Sequence, residues 1–176
     1  PRSRGLGDVY KRQQINDAAP DDLLLCVYEK YENLAASKGI SLQFSLVDAA
    51  YRDCALDTER ITQVLSILMD NALSYTPQGG KILLLLSQSA HHTIFAVADD
   101  GSSIPEEEKA HIFERFYRTD HAHTDHDHFG LGLCTAQEIV RAHHGKILVH
   151  DPRDCSPLPE GFPRDRGVVF TVVLHG

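Results

Sequence analysis

The amino-acid sequence predicts an α+β fold: a two-layer sandwich in which helices pack on one face of a mixed, mainly antiparallel sheet. Segments with apolar residues at helical spacing are interleaved with shorter segments that have the apolar–polar alternation of strands. Glycine and proline residues separate many of these segments. The chain has 176 residues, of which 42% are hydrophobic, and this is enough for one buried core. Interleaved helices and antiparallel strands are typical of such a sandwich.

One domain is expected, from residue 14 to residue 176. The residues before it lack a hydrophobic period, and the run DVYKRQ at 8–13 resembles the translated end of a transposon adapter used in library preparation. Residues 1–13 are therefore interpreted as an adapter-derived or disordered tail.

The first predicted elements are a helix and two strands. The helix covers residues 21–36 and ends before Gly39, a common stop signal. Residues 40–46 then alternate as a strand. Residues 51–56 are a candidate partner for this strand, so a hairpin is expected.

The clearest helix begins after Asp57, a residue type that caps helix N-termini. Its apolar residues follow a 3.6-residue period until Thr76 and Pro77 end it. Residues 81–87 and 93–99 are predicted as strands, and the short polar link between them favours antiparallel pairing.

A helix is predicted from residue 105 to about residue 117, because proline is favoured in the first turn of a helix. Residues 118–129 contain almost no apolar side chains, which predicts a mobile loop. Another helix is predicted over residues 130–144, with Gly145 as its stop signal. The chain is predicted to finish with two strands around a proline-rich loop: 146–150, 151–166 and 168–174.

The composition excludes several classes of partner. The net charge of −8, from 17 basic and 25 acidic residues, repels nucleic acid and anionic lipid. The four cysteines form no C-x-x-C pair, so neither a disulfide framework nor a thiolate metal site is indicated. The longest apolar run, Ile82–Leu86, is too short to span a bilayer. We therefore expect a cytoplasmic domain with no nucleic-acid partner and no direct membrane contact.

Asn71 is the first candidate for chemistry. On the long helix it shares a strip with Ile67 and Ser74 beside the core-facing side, because successive residues turn by about 100°. An amide oxygen there is a suitable ligand for Mg²⁺, which takes few protein ligands and leaves the rest to water and phosphates. Asparagine on a helix surface is also commonly structural, so Asn71 alone does not decide the function.

Asp99 ends a predicted strand and precedes Asp100 and Gly101, where the glycine allows a sharp turn. A carboxylate held there can accept a hydrogen bond from the exocyclic amine of adenine, whereas guanine presents an acceptor at that position. An ordinary Asp-Gly turn is the alternative interpretation.

The run Gly130-Leu131-Gly132-Leu133 opens a predicted helix directly after the polar loop. Free backbone N–H groups and the positive end of the helix would face phosphates there, and glycine lets a ligand approach the backbone closely. An isolated G-x-G is also often only a turn before a helix.

Four segments together are much more specific than any one of them. They are QVLSILMDNALSYTP, VADDGSSIP, IFERFYR and FGLGL, and their order and spacing resemble the catalytic domain of sensor histidine kinases. The resemblance covers the chain from about residue 21 to its end. It implies the Bergerat-type ATP-binding sandwich, which gyrase, MutL and heat-shock chaperone ATPases share.

By this resemblance the cofactors are ATP and Mg²⁺. Asn71 would hold the metal ion and Asp99 would recognise adenine. Arg118 would approach the phosphates as a planar donor, so that Asn71 and Arg118 are the expected catalytic residues. The resemblance assigns a further set of nucleotide-binding residues: Tyr75, Gly101, Ile104, Phe116, Gly130, Leu131, Gly132 and Leu133.

The sequence also departs from the family pattern. Ile67 and Ser74 replace an asparagine and a lysine, so one phosphate-side cation is missing. Ser103 replaces the second glycine of the D-x-G-x-G pattern, and His128 or Phe129 stands where a later glycine is expected. The ATP-hydrolysing relatives have a glutamate at the position of Ile67 that acts as general base, and isoleucine cannot take that proton.

The resemblance therefore favours a kinase domain that transfers the γ-phosphoryl group of ATP to a histidine. That histidine would lie on a separate dimerisation domain of the same kinase, and the intact kinase would then address a response regulator. The parent protein is expected to be anchored in the bacterial inner membrane. A degenerate, non-catalytic nucleotide-binding module and a gyrase- or chaperone-type ATPase are the alternatives.

Overall fold

The computed structural model describes residues 13–117, 131–155 and 157–176, and within these the predicted α+β sandwich is confirmed. None of the described helices combines the length and the hydropathy that crossing a membrane requires. The helices are α1 (Pro20–Ser37), α2 (Thr58–Tyr75), α3 (Glu106–Lys109) and α4 (Gly132–Ala142). The strands are β1 (Asn16–Ala18), β2 (Ser41–Leu46), β3 (Cys54–Leu56), β4 (Lys81–Gln88), β5 (His92–Asp99), β6 (Lys146–His150) and β7 (Val168–His175).

The main sheet has five strands in the order β2-β4-β5-β7-β6. Only β2 and β4 pair parallel, and the other three neighbours pair antiparallel, so the sheet is mixed as predicted. The strands β1 and β3 form a separate antiparallel pair. This order places the C-terminal end of β5 beside the first residue of β7, Val168, which pairs with Asp99.

The predicted hairpin between residues 40–46 and 51–56 is wrong. The first segment pairs with β4 and the second pairs with β1. The link between them is held to β4 instead of forming a tight turn: the Tyr51 hydroxyl donates to the Leu86 carbonyl at 2.7 Å, and the Gln88 N–H donates to the Asp48 carboxylate at 2.8 Å. These bonds hold the link to the end of β4, and the two segments pair with different strands.

The core lies between one face of the sheet and the helices α1, α2 and α4. Helix α2 begins at the Asp57 cap, whose carboxylate accepts the Arg60 N–H at 3.1 Å, and it buries a stripe of apolar residues. The other face of the sheet is covered by the loop before β7, where the Arg164 guanidinium donates to the Cys155 and Leu158 carbonyls. The largest fully buried side chains include Leu24, Leu65, Leu68, Leu84, Phe95 and Phe170.

The helix predicted over residues 105–117 is also wrong in extent. Only α3 is helical, and residues 110–117 form successive turns in which the Tyr117 N–H donates to the Glu114 carbonyl. A continuous helix would place Ile112 and Phe116 on the same face. In the structure Ile112 is buried, whereas Phe116 is 65% exposed and has a positive φ of 64°. Burial of Ile112 without Phe116 therefore requires the helix to end.

Helix α4 is shorter than the predicted helix over 130–144. It begins at Gly132, and the predicted start at Gly130 lies outside the described residues. At its C-terminal end the left-handed backbone belongs to His144, with φ of 62°, rather than to the predicted stop Gly145. Gly145 is instead packed against the β7 backbone, since a Cβ there would lie 2.5 Å from the Val173 oxygen.

Candidate functional site

A pocket lies where the C-terminal end of α2 meets the end of β5 and the start of β7. Asn71 and Tyr75 reach it from α2, and Asp99 reaches it from the last position of β5. The pocket therefore brings together four residues that the sequence selected, because Ile104 from the following loop also lines it. Its other lining residues are Ser102, Ser103, Pro105 and Val168.

Asp99 is the most buried polar group of the pocket, with 2% of its surface exposed. The Gly101 N–H donates to its carboxylate at 2.9 Å, and the Val168 N–H donates to it as well. Burial raises the pKa of Asp99 to about 7, and the charge of Asp100 acts in the same direction. The two backbone N–H groups oppose this increase by stabilising the carboxylate. At neutral pH part of the Asp99 population is therefore protonated, and the ionised part can accept hydrogen bonds.

This pKa predicts an unusual dependence of stability on pH. Between its ordinary pKa of 3.8 and a folded pKa of about 7, Asp99 is protonated in the folded chain and ionised in the unfolded chain. The raised pKa of Asp99 therefore contributes its full stabilisation of the folded chain below pH 3.8, and this stabilisation is lost as the pH rises through 7. Denaturant unfolding from pH 4 to pH 8 should show the wild type losing a few kcal/mol relative to Asp99→Asn, which does not titrate. If the free energy of unfolding of the two proteins changed with pH in the same way, the raised pKa of Asp99 would be contradicted.

Two glycines allow the backbone segments around Asp99 to pack closely. A Cβ at Gly101 would overlap the Tyr75 carbonyl oxygen, so the loop after β5 lies directly on the end of α2. A Cβ at Gly167 would overlap the Asp99 carbonyl oxygen, and Gly167 also has a φ of 99°, which side chains rarely adopt. The C-terminal end of α2, the end of β5 and the start of β7 are therefore in direct backbone contact.

Asp100 has a structural role beside Asp99. Its carboxylate is 6% exposed and accepts the Lys81 N–H at 2.7 Å. The Arg166 guanidinium lies 3.5 Å from the same carboxylate and donates to the Asp100 carbonyl at 3.1 Å. Neighbouring carboxylates thus point to different partners: Asp100 holds the turn, and Asp99 faces the pocket.

Asn71 is half-buried on the side of α2 that lines the pocket. Within the described part of the chain its side-chain amide makes no hydrogen bond, so its oxygen is free to bind a ligand. The preceding residue, Asp70, is fixed from the other side, because the Tyr31 hydroxyl donates to its carboxylate at 2.8 Å. Burial, followed by this bond, raises the pKa of Tyr31 to about 12, so the hydroxyl keeps its proton. An amide oxygen without a partner fits the donor set expected for Mg²⁺.

The start of α4 lies against α2 one turn before Asn71. A Cβ at Gly132 would lie 3.4 Å from the Ile67 side chain, which is van der Waals contact, so the start of α4 lies beside this turn of α2. Leu131 is 36% exposed and Leu133 is partly buried against the core. Gly130 and Arg118, the other residues predicted for the phosphate end, lie outside the described residues.

The structure does not bring Phe116 into the pocket. Its ring is exposed, and the Arg115 guanidinium lies 5.9 Å from the ring centroid. The inward aromatic residue of this segment is Phe113, which packs edge-on against Phe170 at 6.1 Å. Lys109 holds the start of the segment through ion pairs with Glu106 and Asp151 at 2.8 and 2.9 Å. Phe116 was expected among the nucleotide-binding residues from the family resemblance of the IFERFYR segment, and the observed turns leave its side chain outside the pocket.

The β7 side of the pocket was not predicted from the sequence. Val168 lines it, and Gly167 sets its backbone position. Ser103, treated above only as a departure from a glycine pattern, lines the pocket and accepts the Gly167 N–H on its hydroxyl oxygen at 3.2 Å. A glycine directly before a buried strand was the available signal, but the sequence alone does not reveal that β7 lies beside β5.

The chain is similar in sequence to a known family and to known sensor proteins. Residues 56–175 match the family model described as Histidine kinase-, DNA gyrase B-, and HSP90-like ATPase. Sensor protein CiaH of Streptococcus pneumoniae serotype 4 is 35% identical over 133 residues, which are 75% of this chain and 30% of that protein. The chain thus spans less than a third of the length of this relative.

Solved structures agree with the fold. The nucleotide-free catalytic domain of histidine kinase ThkA has a TM-score of 0.76 at 27% identity, and the match covers 93% of this chain and 97% of that chain. Full-length ShkA, solved in complex with AMPPNP, has a TM-score of 0.74 at 26% identity, over 93% of this chain and 31% of that chain. Both similarities extend over nearly all of the present chain.

Proposed function

The chain belongs to the family of histidine kinase-, DNA gyrase B- and HSP90-like ATPases, and from this premise we propose that it is the ATP-binding catalytic domain of a sensor histidine kinase. The domain, residues 14–176, binds Mg-ATP and transfers the γ-phosphoryl group to a histidine on a separate dimerisation domain of the same kinase. From there the intact kinase addresses a response regulator. The domain works in the cytoplasm, and the parent protein is anchored in the bacterial inner membrane.

The observation that supports this proposal most is the single pocket that contains both Asn71 and Asp99. Asp99 accepts a hydrogen bond from the exocyclic amine of adenine, and a guanine oxygen at that place would be repelled. Tyr75, Ile104 and Val168 supply the apolar walls on which a purine ring packs. The phosphates then extend towards Asn71 and the start of α4, where Leu131 and Gly132 offer backbone N–H groups.

The phosphate end would hold a magnesium ion through the Asn71 amide oxygen together with phosphate oxygens and water. When bound, the ion neutralises charge on the phosphoryl group that is transferred. Arg118 and Gly130 belong to the same proposal as a phosphate donor and a close backbone contact. The domain itself therefore mainly positions ATP, and the nucleophile comes from elsewhere.

Transfer is favoured over hydrolysis because of Ile67. Its side chain packs against the start of α4 and the apolar core, and it carries no group that could take a proton from water. A gyrase- or chaperone-type ATPase would need a base at this position. The non-catalytic alternative rests on Ser74 and Ser103, which depart from the family pattern.

Substitution of Asp99 tests the nucleotide assignment. In Asp99→Asn the affinity for ATP should fall about 10- to 100-fold, because a charge-assisted hydrogen bond is lost. Titration calorimetry measures this, and Asp22→Asn, on the exposed first turn of α1, is the matched control that should leave the affinity unchanged. Equal affinities for wild type and Asp99→Asn would refute the adenine contact.

A transfer assay separates the kinase from the non-catalytic module. The chain is mixed with the purified dimerisation domain of its parent and with ATP labelled on the γ-phosphate. A kinase domain should place acid-labile label on the histidine of the partner. Tight ATP binding without any label on the partner would favour the non-catalytic alternative.

A further inference from the structure

We propose that the Ser103 hydroxyl donates a hydrogen bond to N1 of adenine, next to the contact that Asp99 makes with the exocyclic amine. Ser103 would then be a specificity-determining residue of this domain. The inference rests on the proposed function, since it concerns the binding of ATP in the same pocket.

Two consecutive backbone N–H groups place Ser103 beside Asp99. The Gly167 N–H donates to the Ser103 hydroxyl oxygen at 3.2 Å, and the Val168 N–H donates to the Asp99 carboxylate. Consecutive backbone nitrogens are on the order of 3 Å apart. The serine and aspartate oxygens are therefore bonded to one short piece of backbone at the start of β7, and both residues line the same pocket.

The hydroxyl hydrogen of Ser103 is available to a ligand. Its oxygen uses a lone pair to accept from Gly167, so its own O–H points elsewhere. Within the residues that the structure describes, this O–H has no protein acceptor. Ser103 also lines the pocket together with Asp99. The same pocket thus contains an acceptor, the Asp99 carboxylate, and a donor, the Ser103 hydroxyl.

Adenine presents the complementary pair. Its exocyclic amine is a donor and its N1 is an acceptor, and both are bonded or adjacent to the same ring carbon. A ring that places the amine on Asp99 brings N1 towards the neighbouring oxygen, that of Ser103. Guanine and hypoxanthine carry an oxygen and an N1–H at these positions, so they mismatch both contacts. The serine hydroxyl therefore adds a second selective contact that a glycine at residue 103 would lack.

Two ATP analogues separate the contacts. 1-Deaza-ATP keeps the amine but lacks N1, whereas purine riboside triphosphate keeps N1 but lacks the amine. The wild type should bind ATP about five- to tenfold more tightly than 1-deaza-ATP, as expected for one hydrogen bond. In Ser103→Ala this ratio should fall to about one, while the preference for ATP over purine riboside triphosphate remains. Ser103→Thr, which keeps the hydroxyl, is the matched control and should retain both preferences.

A purely structural serine gives a different result. If Ser103 only holds the Gly167 N–H, Ser103→Ala weakens ATP and 1-deaza-ATP by the same factor, and the ratio stays at its wild-type value. That outcome overturns the inference, and so does a wild type that binds the two nucleotides equally. Neither result bears on the proposed function, which is tested separately by whether the wild type binds ATP and by whether it transfers the γ-phosphoryl group in the assay above.

Discussion

Replacement of Asn71 with alanine is expected to lower the rate of phosphoryl transfer to the partner histidine by about 100-fold. The half-buried amide lines the pocket and makes no hydrogen bond within the described part of the chain, so its loss would remove the proposed magnesium ligand rather than a structural contact. The stability of the fold should change by less than about 0.5 kcal/mol. The initial rate of γ-phosphate transfer, measured over a range of magnesium concentrations, checks this prediction.

The matched control is Asn33→Ala, on the exposed face of α1. This variant removes the same kind of side chain from the exposed surface of another helix, at a residue that does not line the pocket. It should transfer phosphate at the wild-type rate. If Asn71→Ala also transfers at that rate, Asn71 is no metal ligand. A large loss of thermal stability in Asn71→Ala would point instead to a structural asparagine.

Replacement of Gly167 with alanine should destabilise the fold by about 3 kcal/mol and weaken nucleotide binding with it. The new Cβ would overlap the Asp99 carbonyl oxygen, which belongs to a paired strand and cannot move away easily. The positive φ of 99° adds strain for any side chain. Chemical denaturation at pH 7 measures the change in the free energy of unfolding.

The variant Gly161→Ala separates the steric overlap of an added Cβ from the strain of a positive φ. Gly161 has a similar φ of 94° but nothing within 4 Å of an added Cβ, so its substitution should cost only about 1 kcal/mol. The difference between the two variants is then the cost of forcing β5 and β7 apart. If both variants lose the same stability, the close contact between Gly167 and Asp99 has no energetic weight.

Most of the helices and strands could be predicted because each carries its own local signal. Helix α2 has a capping aspartate, a sustained apolar period and a proline after its end, and its observed bounds match the predicted ones closely. The strands β4 and β5 alternate or are apolar throughout and are joined by a short polar link, so their antiparallel pairing was evident as well.

The errors concern features that depend on distant residues. Strand β2 pairs with β4, and the segment after β2 is bonded to the far end of β4 through Tyr51 and Asp48, some 35 to 40 residues along the chain. The early end of α3 reflects the burial of Ile112 without Phe116, which only the packed core determines. A sequence window contains neither of these constraints.

Only part of the candidate site could be predicted from the sequence. Asn71 and Asp99 could be selected because each lies in a segment that resembles a known family, and the pocket contains both. The contributions of Gly167 and Ser103 depend on how β7 lies beside β5. Only the structure shows that the consecutive N–H groups of Gly167 and Val168 donate to the Ser103 hydroxyl and to the Asp99 carboxylate.

If Asp99 binds adenine as proposed, its buried carboxyl makes nucleotide binding a proton-exchange event. In the empty pocket at neutral pH, part of the population carries a proton on this group, since its pKa is about 7. An amine that donates to the carboxylate favours the ionised form, so adenine bound there would expel that proton into the solvent. Mild acidification would then compete with the nucleotide for this one side chain, and pH and nucleotide occupancy would be thermodynamically linked.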